Sequence, residues 1–138
     1  MAHADGRLHV LVADDEPHIG RIIKMKLEQG PFTVTLAYDG QEAWDAVERS
    51  PDLALVLLDV MMPKLSGLDV LARVRADATR PALPCIILTA AGQEQHVRQA
   101  MARCASDCFT KPFSPKKLYA RVAELTGVPV DEAGEAES

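Results

Sequence analysis

The chain has 138 residues, of which 48% are hydrophobic and 25% charged, the usual size and composition of one globular domain. The net charge is −5, but four of the 20 acids lie in the last eight residues, DEAGEAES, which leaves 16 acids against 15 bases elsewhere. A body so close to neutral has no broad basic surface for phosphate backbones, so direct binding to nucleic acid is not expected.

Five short apolar runs alternate with segments of helical periodicity. The runs are LHVLVA (8–13), FTVTLA (32–37), LALVLL (53–58), PCIILT (84–89) and DCFTK (107–111). This alternation predicts a parallel sheet, because right-handed crossovers between parallel strands leave helices on both of its faces. The first and third runs are the most continuously apolar, so we place these strands at the centre of a five-stranded, doubly wound α/β sheet.

The segments between the strands carry apolar residues at helical spacing, which predicts helices that bury one face. The first helix opens at DEPHIG, with Pro17 in its first turn, and ends at Gly30. We expect Trp44 and Met101, on the second and fourth helices, to lie in the core. The predicted buried faces contain, in chain order, Ile19, Ile22, Ile23 and Leu27; Ala43, Trp44 and Val47; Leu68, Leu71 and Val74; Val97, Ala100, Met101 and Cys104; Leu118, Val122 and Leu125.

The periodic pattern stops after residue 127. We therefore predict one domain over residues 1–127 and a disordered acidic tail over residues 128–138. No apolar run reaches the roughly 18 residues of a membrane span, and the N-terminus lacks the pattern of a signal peptide. The three cysteines have neither metal-ligand nor redox spacing, which favours a reducing cytoplasm. The four histidines are scattered singly and are expected to be surface or packing residues.

Polar residues stand where four of the predicted strands end. Asp14 and Asp15 follow the first strand, Asp59 follows the third, and Thr89 and Lys111 end the fourth and fifth. Because parallel strands share one carboxyl edge, these side chains are expected to surround one shallow pocket of the kind that binds ligands in such folds. Taken singly, each has a plainer interpretation, as a helix cap, a strand-end residue or a solvated amine. We favour a shared site, because polar residues would otherwise have to occur by chance at four strand ends on the same edge.

Three carboxylates in one pocket need a countercharge. Two like charges about 5 Å apart repel by roughly 3 kcal/mol at an effective dielectric of about 20. Mg²⁺ relieves this repulsion, because it prefers oxygen ligands and commonly bridges a carboxylate and a phosphate. A lysine and a hydroxyl opposite the metal would supply the remaining charge and hydrogen bond for a phosphoryl group. The sequence therefore predicts a magnesium-dependent phosphoryl site.

The motifs VADDEP, LLDVMMPKLSGLDVL, ILTA and FTKPF follow one another within residues 7–127. In this combination the chain resembles the receiver domains of two-component response regulators. The resemblance implies a flavodoxin-like (βα)5 sandwich with strand order 2-1-3-4-5. It also implies a cytoplasmic signalling protein, not a turnover enzyme, that catalyses its own phosphorylation and dephosphorylation. Its expected partners are a histidine kinase or phosphotransfer protein and a downstream protein target, and we expect a monomer or weak homodimer.

The resemblance assigns metal-binding roles to the acids. Asp59 would be the phosphoacceptor and also a ligand of Mg²⁺. Asp15 and the main-chain carbonyl of Met61 would complete the protein ligands of the metal. Asp14 would act mostly through metal-bound water.

The resemblance also assigns phosphoryl contacts and identifies two departures. Thr89 and Lys111 would contact the phosphoryl oxygens, and the Lys111–Pro112 peptide bond is expected to be cis. Cys108 replaces the aromatic residue usual three positions before the lysine, and Cys104 replaces a glycine. The turn after the fourth helix is therefore expected to be built differently. Neither departure touches the phosphorylation chemistry.

Two other functions remain alternatives. An aspartate-nucleophile phosphohydrolase would also use a strand-end acid, but it needs a second acid two residues later, where this chain has Met61. A metal-free pseudo-receiver would only bind partners. Such a protein usually lacks one of the acids or the lysine, whereas this chain has all of them.

Overall fold

The computed structural model of the chain describes residues 6–129. The predicted domain boundary at residue 127 remains a prediction, and the acidic tail lies outside the described residues from position 130 onward. No helix between residues 6 and 129 has the length and apolar character needed to cross a bilayer. The cytoplasmic location remains a prediction.

Five strands and five helices alternate along the chain. The strands are β1 (Leu8–Ala13), β2 (Phe32–Ala37), β3 (Leu53–Asp59), β4 (Cys85–Ala90) and β5 (Asp107–Lys111). The helices are α1 (Pro17–Leu27), α2 (Gly40–Arg49), α3 (Gly67–Ala76), α4 (Glu94–Ala102) and α5 (Pro115–Thr126). All strands pair in parallel in the order β2-β1-β3-β4-β5, which confirms the predicted fold class and strand order.

The two central strands are covered on both faces. Residues 10–13 of β1 and 55–58 of β3 are 0% exposed, as their continuous apolar sequences predict. One apolar cluster packs beneath α1 and α5 and includes Val10, Ile23, Leu55, Ile86 and Val122. The other packs beneath α2, α3 and α4 and includes Leu11, Val47, Leu58, Leu71 and Ala100. The sheet therefore holds its strand ends between two rigid helical layers.

The helix ends follow the local chemistry of the sequence. Pro17 is the first residue of α1, where its missing N–H costs no hydrogen bond. The side chains of Asp39, Ser66 and Ser114 accept hydrogen bonds from the first turns of α2, α3 and α5. Gly127 ends α5 at φ 78°, a left-handed conformation that glycine adopts without steric penalty.

Parts of the predicted buried faces are wrong. Helix α1 ends at Leu27 and not at Gly30, and Ile22 within it is 45% exposed. Met101, which was expected in the core, is 48% exposed, and Cys104 is exposed. Ala100 is the one fully buried residue of α4, because this short helix covers the sheet with a narrower face than its apolar residues suggest. Trp44 is half-buried and packs against the core beneath α2.

The outer side of β2 is occupied by charged side chains of α1 and the turn after it. The Val34 N–H donates to Glu28 Oε2 at 3.0 Å, and Lys24 Nζ donates to the Val34 carbonyl at 3.1 Å. Lys24 and Glu28 also pair with each other at 2.8 Å. These bonds satisfy the N–H and carbonyl of Val34, which an edge strand would otherwise expose.

One histidine is buried at the amino edge of the sheet. His9 Nε2 lies 2.7 Å from Thr35 Oγ1, and its Nδ1 lies 3.2 Å from the Asp52 carboxylate. We call these three residues the amino-edge cluster. His9 was expected to be an ordinary surface or packing residue. It is a packing residue that connects β1 to β2 and to the residue before β3.

Candidate functional site

The acids predicted to converge do so at the carboxyl edge of the sheet. Asp14 follows β1 and is 1% exposed, and Asp59 ends β3 and is 4% exposed. Asp15 is exposed beside them. One carboxylate oxygen from each of the three lies within 4.8 Å of the others. We call Asp14, Asp15 and Asp59, with Thr89 and Lys111, the carboxyl-edge cluster.

Lys111 supplies the nearest positive charge. Its Nζ lies 2.8 Å from Asp14 Oδ2 and 3.4 Å from Asp59 Oδ1. The Asp14 Oδ2 contact is an ion pair without hydrogen-bond geometry. The Lys111–Pro112 bond is cis, as predicted.

The charges of the carboxyl-edge cluster are unbalanced. Burial and, after it, the charge on Asp14 raise the pKa of Asp59 to about 7, although Lys111 opposes both effects. For Lys111, desolvation acts to lower the pKa, but Asp14 and Asp59 outweigh it and hold the pKa above its ordinary range. The surroundings therefore disfavour a negative charge on Asp59, the residue predicted to react.

The loop that follows Asp59 is held close to the sheet. Val60 N–H donates to the Leu88 carbonyl at 3.0 Å, and Gly67 N–H donates to the Val60 carbonyl at 3.1 Å. A side chain at Gly67 would collide with the Asp59 carbonyl, so glycine is required there. Ser66 begins α3 with a reciprocal capping box, which fixes the end of the loop.

Thr89 and Met61 are placed differently from the acids. Thr89 lies in β4 beside Thr110 of β5 and is 1% exposed. Its Oγ1 is buried and has no hydrogen-bond partner among residues 6–129. Met61 follows Asp59 in the loop, and its side chain is 64% exposed. The Thr89 hydroxyl is thus free to donate, as the predicted phosphoryl contact requires.

Sequence reasoning missed Glu16. Its carboxylate accepts a hydrogen bond from Lys111 Nζ at 3.1 Å, and its N–H donates to Asp14 Oδ1 at 2.9 Å. The position next to the two aspartates was the only available signal. The contact with Lys111 crosses 95 positions of sequence, so no local pattern predicts it.

A cavity of about 260 Å³ opens over the cluster and is lined by Asp15, Glu16, Asp59, Met61, Ala90 and Lys111. Thr89 does not line it, although its neighbour Ala90 does. A larger cavity of about 760 Å³ lies between α2 and α3, where Arg73 covers the Trp44 ring at 5.6 Å. The smaller cavity is the better candidate, because the buried acids and the lysine converge there.

The two departures from the family pattern have structural consequences outside the cluster. Cys104 takes φ 64°, a left-handed conformation that favours glycine. Arg75 Nε donates to the Cys104 carbonyl at 2.9 Å and helps to hold this turn. Cys108 is half-buried in β5 and packs against the core.

The donor set suits a hard divalent cation. Three carboxylates within reach of one another offer oxygen ligands, which Mg²⁺ prefers. The raised pKa of Asp59 reflects repulsion and burial that a cation would offset. The residues present therefore fit a magnesium site.

The fold and the pocket together define a CheY-like α/β protein, with a parallel flavodoxin-like sheet and an acidic site at its carboxyl edge. The family model of the response regulator receiver domain matches residues 10–123. The chain therefore belongs to the receiver domains of two-component response regulators. This confirms the predicted family and function, and neither the phosphohydrolase nor the pseudo-receiver alternative is favoured.

Individual relatives agree with the family. The chain is 38% identical to the "Probable transcriptional regulatory protein TcrX" of Mycobacterium tuberculosis, over 97% of this chain and 58% of that protein. The receiver domain of the Francisella response regulator 1452 matches with a TM-score of 0.79 and 33% identity, over 88% of this chain and 98% of that one. The BeF3-activated DrrB receiver domain matches with a TM-score of 0.77 and 30% identity, over the same shares of the two chains.

The chain spans about half the length of the curated relatives it matches, for example 58% of the Mycobacterium tuberculosis protein. What those whole proteins do beyond the receiver domain is therefore a separate question for this chain.

Proposed function

We propose that Asp59 accepts a phosphoryl group from a phosphohistidine of a histidine kinase or phosphotransfer protein, in a reaction that requires Mg²⁺. The observation that carries the proposal is the buried Asp59 carboxylate, which lies 3.4 Å from Lys111 and close to two further carboxylates. In the transfer, an Asp59 carboxylate oxygen forms a bond to phosphorus as the phosphorus–nitrogen bond of the donor breaks. The donor imidazole leaves with the electron pair of that bond.

Asp14, Asp15 and Asp59 are the side chains that would hold Mg²⁺, with the main-chain carbonyl of Met61 as a further ligand. When bound, the metal neutralises the carboxylates and the phosphoryl oxygens. Asp14 is buried and its Oδ1 accepts a hydrogen bond from the Glu16 N–H, so its carboxylate has little freedom to become a direct ligand. We infer that it acts mostly through metal-bound water.

Lys111 and Thr89 would stabilise the transferred group. The ammonium group of Lys111 already lies beside Asp59 and supplies the countercharge that the metal does not. The unpartnered hydroxyl of Thr89 would donate a hydrogen bond to a phosphoryl oxygen. That bond draws on a buried donor without breaking an existing one.

The output of the domain is a change in protein binding. Once Asp59 is an aspartyl phosphate, movement of Thr89 would alter the surface formed by α4, β5 and α5. A downstream protein target would bind this surface with a changed affinity. We infer that the domain catalyses both gain and loss of its phosphoryl group, and that it is a monomer or weak homodimer without direct contact to nucleic acid.

Phosphorylation by acetyl phosphate tests the proposal. With Mg²⁺ present, wild type should gain one phosphoryl group in an intact-mass measurement, and addition of a chelator should prevent the gain. Asp59→Asn should gain none, because the amide is a poor nucleophile. Asp45→Asn, which changes an acid of α2 outside the cluster, should behave as wild type. Equal incorporation by Asp59→Asn and wild type would refute the assignment.

A further inference from the structure

Lys111 has one more carboxylate partner than the proposed chemistry requires. Its Nζ lies 2.8 Å from Asp14, 3.1 Å from Glu16 and 3.4 Å from Asp59. Among residues 6–129, Glu16 is the carboxylate that accepts a hydrogen bond from Lys111, whereas the contacts with Asp14 and Asp59 are ion pairs. A phosphoryl oxygen that takes the hydrogen bond now made to Glu16 must displace that carboxylate.

The three partners differ in how easily they can leave. The side chain of Asp14 is 0% exposed and that of Asp59 is 6% exposed, so neither can be solvated without opening the site. The side chain of Glu16 is 50% exposed, and water can replace Lys111 as its partner. Glu16 is thus the partner whose removal costs least.

Helix capping does not explain the position of the Glu16 side chain. Glu16 is the N-cap residue of α1, yet its side chain makes no capping hydrogen bond. It extends instead to Lys111 and lines the same cavity as Asp59 and Asp15. A fourth carboxylate therefore faces the path by which an anionic phosphoryl donor must enter.

We propose that Glu16 is a positioning residue that restrains Lys111 in the unphosphorylated domain. The restraint lowers the affinity of the domain for phosphoryl groups. The inference rests on the proposed phosphorylation of Asp59. Loss of the contact between Glu16 and Lys111 frees one ammonium donor for the phosphoryl oxygens, while the Glu16 carboxylate moves into solvent. Glu16 thereby sets how readily the domain accepts the group.

Beryllofluoride titration at saturating Mg²⁺ tests the restraint, because beryllofluoride imitates a phosphoryl group on aspartate. We expect Glu16→Gln to bind beryllofluoride about two- to five-fold tighter than wild type, the range for a half-exposed ion pair. Its rate of phosphorylation by acetyl phosphate should rise by a similar factor. Glu48→Gln, which removes an exposed carboxylate from the last turn of α2, is the matched control and should equal wild type.

Two further measurements separate a restraint from general effects. Glu16→Asp keeps the negative charge on a shorter side chain. If the contact with Lys111 itself matters, this variant should show most of the increase in beryllofluoride affinity that Glu16→Gln shows. Raising the salt concentration should shrink the difference between Glu16→Gln and wild type, because exposed charges are screened. Unfolding midpoints should stay the same for all the variants.

The outcomes distinguish this inference from the proposed function. If wild type, Glu16→Gln and Glu48→Gln bind beryllofluoride equally, the restraint is refuted and phosphorylation of Asp59 stands. Weaker binding of beryllofluoride by Glu16→Gln than by wild type also refutes the restraint. So does a Glu16→Asp variant that behaves as wild type while Glu16→Gln is phosphorylated faster. If no protein binds beryllofluoride or gains a phosphoryl group, the proposed function itself fails and the inference fails with it.

Discussion

The two buried polar clusters at opposite edges of the sheet differ in how completely their members are paired. At the amino edge, both ring nitrogens of His9 have a partner, Asp52 on one side and Thr35 on the other. At the carboxyl edge, the buried carboxylates share Lys111, and the Thr89 hydroxyl has no partner among residues 6–129. Buried polar groups are normally hydrogen-bonded, so incompletely paired polar groups at one edge indicate a chemical function there.

The difference also separates two uses of burial. In the amino-edge cluster, burial strengthens hydrogen bonds that tie β1 to β2 and to the start of β3. In the carboxyl-edge cluster, burial and the charge on Asp14 raise the pKa of Asp59 to about 7, so the folded protein is less stable when this acid is charged. One cluster stabilises the fold, and the other retains unfavourable energy that a ligand can relieve.

Replacement of His9 should have the largest effect on stability. We expect His9→Ala to lower the free energy of unfolding by about 2 to 4 kcal/mol, because it removes the His9 contacts with Thr35 and Asp52 and opens a cavity. Denaturant unfolding measures the change. His18→Ala is the control, since the His18 side chain is 62% exposed, and it should stay within about 0.5 kcal/mol of wild type. Equal losses in both variants would show that the amino-edge cluster is not structural.

Replacement of Asp59 should change stability in the opposite direction. The pKa of Asp59 is about 7 in the folded domain and 3.8 in the unfolded chain. The folded state therefore binds the proton more tightly. Stability from this group is full below the unfolded pKa and is lost as pH rises through about 7. Without metal, Asp59→Asn should therefore be more stable than wild type by about 1 to 3 kcal/mol near pH 8.

The advantage of Asp59→Asn should be clearly smaller near about pH 5, and it should disappear only below the unfolded pKa of 3.8, where Asp59 is protonated in both the folded and the unfolded protein. Mg²⁺ should stabilise wild type more than Asp59→Asn, because the variant lacks one ligand. Denaturant unfolding at the two pH values, with chelator and with Mg²⁺, gives all the required differences. A less stable Asp59→Asn at the higher pH would contradict an unbalanced cluster.

The two threonines provide the smallest and most direct comparison. Thr35→Val removes a paired hydroxyl and should lower the free energy of unfolding by about 1 kcal/mol. Thr89→Val removes a buried hydroxyl that has no described partner, so stability should change by less than about 0.5 kcal/mol. Thr89→Val should nevertheless weaken beryllofluoride binding, whereas Thr35→Val should leave it unchanged. Similar stability losses for both variants would remove the contrast between the edges.

Much of the fold could be predicted because the apolar runs are distinct and the topology of parallel strands is restricted. The predicted ends of β3 and β4 differ by one residue from the observed strands, Leu53–Asp59 and Cys85–Ala90. Ile22 and Met101 were misplaced because an apolar residue at helical spacing need not face the sheet. How wide a face each helix buries depends on its neighbours, which periodicity does not describe.

The convergence of the acids and Lys111 could be predicted for a topological reason, since they end strands that share one edge. The partners of His9 could not, because Thr35 and Asp52 lie 26 and 43 positions away and are ordinary residues in their own segments. The contact between Glu16 and Lys111 depends on side-chain conformations and likewise has no sequence pattern.

The hydrogen bonds on the outer side of β2 affect how copies of the domain can associate. Strand addition joins two proteins through unpaired peptide groups, and it is a common route to unwanted aggregation. Here Glu28 and Lys24 already occupy the N–H and carbonyl of Val34, and an incoming strand would have to displace both charged side chains. Addition of a strand beside β2 is therefore disfavoured at Val34, so the charges of α1 protect the middle of this edge.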